Sequence, residues 1–379
     1  MWDEYGKILL LKDLPEILKA APWNYKDDLC MIAAYDLAKA TGEEFWLEAV
    51  YSSAPYLLSE EGIISNWDKN EYNIDKISFG KSLLILYDLT KEEKYLSAAR
   101  KLYQQLNTYP RTEEGNFWHK DIYPQQVWLD GLYMGQPFYA AMSVISGEDH
   151  WDDIIGQFVS ADKLLWDEDK HLYIHACDTS KRMDWADPQT GRSPSFWLRA
   201  EGWYLMALCD VYEIAKDKTP EAKELIPLLS KGIRGIMRYK GLSDMFTQII
   251  DMPQVKGNYP ETSGSAMVAY ALLKGERLGM LMPGAGEMGM SVLRAIEKAY
   301  LRKDNRKLHL YGICASAGLG PGPDHRTDRT GTVEYYLSEK QIVDNQHGAA
   351  CLLAYSEQLL RERSDTSITH HLSPSIDGL

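Results

Sequence analysis

The stretch Q-Q-V-W-L-D-G-L-Y-M-G-Q-P-F-Y, Gln125 to Tyr139, decides how the rest of the chain is read. Val127, Leu132, Tyr133 and Met134 are apolar, Ala140 and Ala141 follow, and the pattern runs on through Val144. A segment of this length that is apolar on most faces predicts a helix of about four turns, buried all round. Asp130 falls in its first turn. Trp128 and Leu129 precede it and are poor caps, so Asp130 is not explained as part of an ordinary helix start. It is either a satisfied structural carboxylate or a functional one. A carboxyl held between desolvating aromatic rings and the positive end of a helix can serve as a general acid.

Working outward, five more segments are apolar nearly all round: Asp28 to Ala40, Ile77 to Leu89, Phe196 to Ile214, Ser263 to Leu278 and Gly348 to Leu360. With Gln126 to Ile145 they make six. They alternate with charged, amphipathic segments such as Glu93 to Leu106 and Asp152 to Leu165. A turn repeats between the two kinds: A-K-A-T-G-E-E-F-W at Ala38, L-T-K-E-E-K-Y at Leu89, I-S-G-E-D-H-W at Ile145, and a looser copy from Ala215 to Ala222. Gly suits the C-terminal cap of one helix, and the acids suit the start of the next. Strand alternation is scarce, with Lys307–Tyr311 and His171–Ile174 the best candidates. Six buried helices sheathed by six exposed ones predict an all-α fold, an (α/α)6 barrel. A single barrel domain is expected over residues 1–363, with a polar, loosely packed C-terminal tail over residues 364–379.

The 379 residues are 45% hydrophobic, enough for one large core. A formal net charge of -14 argues against nucleic acid and anionic membrane as partners. Five scattered cysteines without a C-x-x-C pair point to a reducing compartment. No segment reads as a signal peptide or a membrane span, and the expectation is a cytoplasmic protein, monomer or homodimer. No H-E-x-x-H or Cys/His cluster calls for a metal, and no cofactor is expected. Aromatic usage is skewed to 11 Trp and 24 Tyr against 7 Phe. Rings with a polar handle suit carbohydrate clefts, although a large core uses them too.

A barrel of this kind carries its site where the inner helices begin, and those openings are chemically rich. Trp23 and Tyr25 precede the first inner helix, and Asp75 the second. His119, Lys120, Trp128 and Asp130 gather at the third. His175, Trp197, Arg199 and Trp203 surround the fourth, and His325, in a Gly-rich stretch from Gly318 to Pro323 read as a loop over the mouth, comes before the sixth. Each residue has an ordinary alternative: Asp75 as the cap of the helix near Ile77, Arg199 as partner of Glu201 or Asp187, Lys120 as solvated charge, His175 as a surface residue, and each Trp as packing.

W-H-K at Trp118 to Lys120, Q-V-W-L-D-G-L-Y-M with P-F-Y up to Tyr139, S-P-S-F-W-L-R-A-E-G-W at Ser193 to Trp203, and N-Y-P-E-T-S-G-S-A-M at Asn258 to Met267 together resemble glycoside hydrolase family 105, the unsaturated rhamnogalacturonyl hydrolases. The resemblance runs from Trp23 to about Glu357, and family 88, the unsaturated glucuronyl hydrolases, shares the fold and chemistry but matches these motifs less well. It implies an (α/α)6 barrel and a cofactor-free hydrolase. Such an enzyme removes a 4,5-unsaturated galacturonyl residue from rhamnogalacturonan oligosaccharides by protonating C4 and adding water at C5. The acid–base position falls on Asp130 and the second acidic position on Asp75. Trp23, Tyr25, His119, Lys120, Trp128, His175, Trp197, Arg199, Trp203 and His325 are then expected to bind the substrate, with Arg199 the carboxylate fork.

Two departures stand out. Cys177 occupies a position where the family often has Trp, and Ala200-Glu201 replaces Gly-Asn in R-G-N-G-W, which places an extra acid near Arg199. The alternatives are an unsaturated glucuronyl hydrolase acting on glycosaminoglycan disaccharides, a sugar epimerase using His175 with His347, a non-catalytic carbohydrate-binding barrel, and an ordinary inverting glycosidase using Asp75 and Asp130.

Overall fold

The computed structural model describes residues 1–322 and 324–371, with residues 364–371 as backbone. In chain order the helices are α1 (Trp2–Ile8), α2 (Leu14–Ala20), α3 (Tyr25–Thr41), α4 (Leu47–Leu57), α5 (Ile74–Ile77), α6 (Phe79–Thr90), α7 (Glu93–Leu106), α8 (Leu129–Ser146), α9 (Trp151–Leu165), α10 (Leu198–Ala215), α11 (Leu225–Ile236), α12 (Thr262–Arg277), α13 (Ala285–Tyr300), α14 (Val333–Ser338) and α15 (Ala349–His371). The inner ring is α3, α6, α8, α10, α12 and α15, and each packs on the next until α15 closes back on α3. Around it lie α4, α7, α9, α11 and α13, each against the inner helix that precedes it. The N-terminal α1 and α2, joined by a π-helical turn at Leu9–Asp13, complete the outer layer against α15 and α4. This is the (α/α)6 barrel, and all six apolar segments are its inner helices. The boundary drawn at residue 363 falls inside α15, and residues 372–379 lie outside the described residues.

The repeated turn has a common hydrogen-bond plan. Thr41, Thr90 and Ser146 each donate a hydroxyl back to a carbonyl of their own last turn. Each also accepts from the backbone N–H of the acid two residues on, Glu43, Glu92 or Glu148. The residue between, Gly42, Lys91 or Gly147, is left-handed with φ of 75°, 58° and 72°. The looser copy after Ala215 is built differently. Its C-cap, Lys216, stays right-handed, and Pro220 begins a 3-10 turn instead.

Inner helices approach closely through glycine. A Cβ on Gly80 would lie 2.2 Å from the Phe138 ring, where α6 meets α8. Gly80→Ala is therefore expected to force α6 and α8 apart and destabilise the barrel by about 3 kcal/mol. Chemical denaturation would show this as a lowered midpoint at unchanged slope. At the far ends of α10, α12 and α15, Lys274 pairs with Asp210 and Glu213, and Arg277 pairs with Glu213 and Glu357. These ties hold one end of the ring together and leave the other, where the inner helices begin, for the site.

Strands are short and paired in twos. β1 (Gln126–Trp128) pairs antiparallel with β4 (Ala176–Asp178), and β2 (Trp166–Asp167) with β3 (Leu172–Tyr173). β5 (Leu301–Asp304) pairs with β6 (Lys307–Leu310), and β7 (Ile313–Cys314) with β8 (Gln341–Ile342). Both strand candidates are found, in β6 and β3. The expected helix from Gln126 begins three residues late, at Leu129, because Gln126–Trp128 is the strand β1. A run of Val and Trp suits a pleated edge as well as a buried helix.

Candidate active site

Two backbone pairings assemble the site. The β1–β4 ladder sets Trp128 opposite Ala176, and the Leu129 N–H then donates to the His175 carbonyl at 3.1 Å. Asp130, the next residue, is thereby brought against the His175 ring. An antiparallel bridge between Asn73 and Lys120, with the Ile74 N–H donating to the His119 carbonyl at 3.1 Å, does the same for Asp75, His119 and Lys120.

A cavity of about 300 Å³ opens at this end of the barrel. It is lined by Tyr25, Asp75, His119, Lys120, Tyr123, Trp128, Asp130 and Met134, and on its outer side by Ser316, Ala317, Gly318, Asp324 and Arg329. Asp130 is largely buried, with Oδ2 at 3.1 Å from His175 Nε2. The two atoms do not form a hydrogen bond, and neither has another hydrogen-bond partner among the described residues. On its other side the His175 Nδ1 meets the Tyr336 hydroxyl at 2.6 Å. Asp130, His175 and Tyr336 thus form a chain leading from the cavity into the core.

Asp75 accepts from Lys120 Nζ at 2.7 Å and lies 3.7 Å from His119 Nε2. Burial alone would raise its carboxyl, but Lys120 and His119 outweigh burial and hold it below the usual carboxylate range. In the same pair, burial would lower the Lys120 ammonium, and Asp75 overrides this and raises it. Asp75 is accordingly an anion that is not available as an acid. Burial pushes His119 down to about 4 despite Asp75, so its ring is neutral near pH 7. It stacks on Trp128 with ring centres 4.4 Å apart and planes 3° from parallel. The Trp128 Nε1–H donates to Gln126 Oε1 at 2.9 Å, which fixes the indole as a wall of the cavity. Opposite, the Tyr25 hydroxyl meets His347 Nε2 at 3.2 Å.

The neutral His119 has a consequence for stability. In the unfolded chain it binds a proton below about pH 6.5, and in the folded protein only below about 4. Between those values the unfolded state holds more protons, so stability falls as pH drops through this window. The expected loss is about 3 kcal/mol by pH 4. A His119→Gln variant should show a shallower fall of Tm between pH 6.5 and 4, read by calorimetry.

Of the twelve expected site residues, Asp130, Asp75, Tyr25, His119, Lys120 and Trp128 line the cavity. The surroundings of these residues and of the remaining six decide among the ordinary alternatives. His175 is fully buried behind Asp130 and is not a surface residue. Asp75 does not cap its helix, since Asn73 does so by accepting from the Asp75 N–H. The His119 ring is neutral near pH 7, and Lys120 is an ion-pair partner rather than a solvated charge. Arg199 is sealed in the core: Nη1 donates to the Cys314 carbonyl at 2.7 Å and to Ser263 Oγ at 3.2 Å, with Glu261 Oε1 at 3.9 Å. Its acidic neighbour is Glu261, not Glu201 or Asp187. Glu201 is buried against the Tyr173 backbone N–H and is pushed well up by burial. Trp23 is a core residue donating to Asp28 at 3.1 Å. Trp197 packs between His175 and Tyr336, and Trp203 lies beneath Tyr25 and Tyr133. His325 is exposed on the mouth loop, where Asp324 and Arg329 take the place expected of it. Tyr123, Met134, Asp324 and Arg329 were not legible as site residues, though the Gly-rich loop that carries the last two was read as covering the mouth. Among the described residues no cluster of three or more His, Cys, Asp or Glu side chains could hold a metal ion, and no helix is long and apolar enough to cross a membrane.

An (α/α)6 barrel with two carboxylates and an aromatic wall in its open end is the architecture of a carbohydrate-active enzyme. The chain belongs to the glycoside hydrolase 88/105 group, the unsaturated glycuronyl hydrolases. The profile described as Glycosyl Hydrolase Family 88 matches residues 11–361. A glycoside hydrolase from family 105 of C. acetobutylicum ATCC 824 is 35% identical, with a TM-score of 0.86 over 94% of this chain and 99% of that one. The unsaturated rhamnogalacturonyl hydrolase YesR of Bacillus subtilis (strain 168) is 28% identical over 213 residues, 54% of this chain and 59% of that protein. The unsaturated glucuronyl hydrolase of Bacillus sp. GL1, responsible for the degradation of glycosaminoglycan, shares the fold at 15% identity and a TM-score of 0.68, over 96% of this chain and 97% of that one.

Proposed function

We propose that this glycoside hydrolase removes the 4,5-unsaturated galacturonyl residue from the non-reducing end of rhamnogalacturonan oligosaccharides. The observation that carries the reading is the division of labour between two carboxylates on one cavity wall. Asp75 is pinned as an anion by Lys120, while Asp130 Oδ2 makes no hydrogen bond among the described residues and the side chain lines the cavity with Trp128. Asp130, when protonated, gives its proton to C4, and positive charge develops at C5, stabilised by the ring oxygen. Water adds at C5 and returns a proton to the Asp130 carboxylate. The hemiketal opens to a 5-ketone, and the hemiacetal left at C1 releases the aglycone. Asp75, with Lys120, orients the water or a ring hydroxyl. Likeness to YesR favours rhamnogalacturonan. The glucuronyl hydrolase alternative rests on the shared fold. The epimerase alternative loses support, since His175 is hydrogen-bonded to Tyr336 and His347 to Tyr25. The enzyme acts in the cytoplasm, on oligosaccharides already cut by a lyase, as a monomer or homodimer, with no cofactor.

The test is ultraviolet absorbance. An unsaturated rhamnogalacturonan disaccharide carries a conjugated ene-acid band, which hydration at C5 removes. Loss of the band on adding enzyme supports the proposal. A stable band with this substrate and loss with an unsaturated glycosaminoglycan disaccharide moves the assignment to the glucuronyl class.

A further inference from the structure

The mouth of the cavity carries an ion pair that the hydration chemistry does not use. The chain between β7 and α14 lines the outer wall with Ser316, Ala317 and Gly318, then returns along it with Asp324 and Arg329. The return is fixed by the Gly320 N–H, which donates to the Arg329 carbonyl at 2.9 Å, and by the Gly318 N–H, which donates to the Tyr335 hydroxyl at 2.9 Å. Arg329 grips Asp324 with both terminal nitrogens, Nη1 to Oδ1 at 2.9 Å and Nη2 to Oδ2 at 2.5 Å. The Arg329 side chain is mostly buried at 16% exposure, whereas that of Asp324 is 47% exposed. The third donor of the fork, Nε, is buried without a hydrogen-bond partner among the described residues.

The charges of the cavity decide what this pair can do. Among the described residues lining it the acids are Asp75, Asp130 and Asp324, and the cations are Lys120 and Arg329. Lys120 is held by Asp75 and Arg329 by Asp324. With Asp130 and Asp75 largely buried and Asp324 half-exposed on the same cavity, the aglycone leaves toward Asp324, and there it meets a half-exposed carboxylate and a cation whose fork is already filled. A neutral sugar can hydrogen-bond to that carboxylate. A sulfated or carboxylated sugar is repelled by it and finds no open cation.

We propose that Asp324 is a specificity-determining residue which, by occupying the Arg329 fork, excludes anionic aglycones and admits uncharged ones. This rests on the unsaturated-uronate reading of the cavity. It goes beyond that reading by assigning aglycone choice to one side chain and by stating how the choice is reversed. Removing the Asp324 charge opens a planar bidentate fork, the geometry that suits sulfate or carboxylate. Removing Arg329 instead leaves Asp324 uncompensated and sharpens the exclusion. The two variants disturb the same loop contact yet are expected to act in opposite directions, which loss of loop order alone would not produce.

The experiment compares wild type, Asp324→Asn and Arg329→Gln on two unsaturated disaccharides, one with a neutral aglycone and one with a sulfated aglycone. The ratio of kcat/KM, sulfated over neutral, is expected to rise about tenfold or more in Asp324→Asn and to fall below wild type in Arg329→Gln. A ratio that is the same in all three proteins, or that moves the same way in both variants, overturns the proposal. A wild type that consumes neither disaccharide overturns the cavity reading itself. Calorimetric titration with inorganic sulfate then decides the role of Asp324 without turnover: sulfate uptake gained in Asp324→Asn over wild type supports it, and equal uptake in the two overturns it.

Discussion

Asp130→Asn is expected to lower kcat on an unsaturated uronyl disaccharide by about 10³-fold, with KM changed much less. The substitution keeps the size of the side chain and its place in the first turn of α8, so the wall formed with Trp128 should survive. It removes the one function an amide cannot supply, a proton delivered to carbon. Protonating an enol-ether carbon is slower than protonating oxygen, and the acid has to be held against C4 without being consumed by a competing hydrogen bond. Asp130 meets this condition: Oδ2 makes no hydrogen bond among the described residues, with His175 Nε2 a close neighbour at 3.1 Å. The same carboxyl is then needed, deprotonated, to take a proton from water, so both halves of the reaction fail together. The check is the decay of the ene-acid band in wild type and variant, with Tm measured on both. A variant within tenfold of wild type at equal Tm would remove Asp130 from the acid role and return attention to His175 and Tyr25.

The fold was legible because the two classes of helix differ over their whole length. Six segments apolar on nearly every side can only be buried, and the Thr-Gly or Thr-Lys turn between them carries its own capping chemistry, so helix count and ring order followed. The site was legible only where the backbone carries a side chain straight to the cavity. Asp130, Asp75 and Trp128 sit at or beside inner-helix starts and arrive as expected. Arg199 sits at one as well, in the most specific motif, yet its fork is turned into the core by the Cys314 carbonyl and Ser263, with Glu261 nearby, residues more than sixty positions away whose partnership no local pattern announces. Asp324 and Arg329 were missed for the opposite reason. They lie in irregular chain where periodicity says nothing, and their importance comes from the loop folding back so that Gly320 meets Arg329. The strand β1 was hidden because Val127 and Trp128 satisfy a buried helix as well as a pleated one. It is that strand, through β4, that places His175 beside Asp130.

Lys120→Met should have the second-largest effect, and it tests the charge state assigned to Asp75. Lys120 is the strongest influence holding the Asp75 carboxyl down against burial, with His119 next. Met keeps the length and apolar bulk of the side chain and deletes the charge. Asp75 would then feel burial with only His119, the weaker influence, and more distant cations to offset it, and its carboxyl should move up. The expected result is a fall in kcat/KM of order 10²-fold at pH 7, with the acid limb of its pH profile shifted upward by a measurable step. The sign follows from the direction of the change: an anion needed for turnover, once its carboxyl is raised, stays protonated to higher pH, so activity is lost first on the acid side. Asp75→Asn should lose a similar factor but without the shifted limb, since nothing remains to titrate. If the pair acts as a unit, the double variant is no worse than Asp75→Asn alone. Full additivity of the two losses, with no shift of the acid limb in Lys120→Met, would mean that Lys120 touches the substrate on its own account and that the ion pair seen at 2.7 Å opens when the cavity fills.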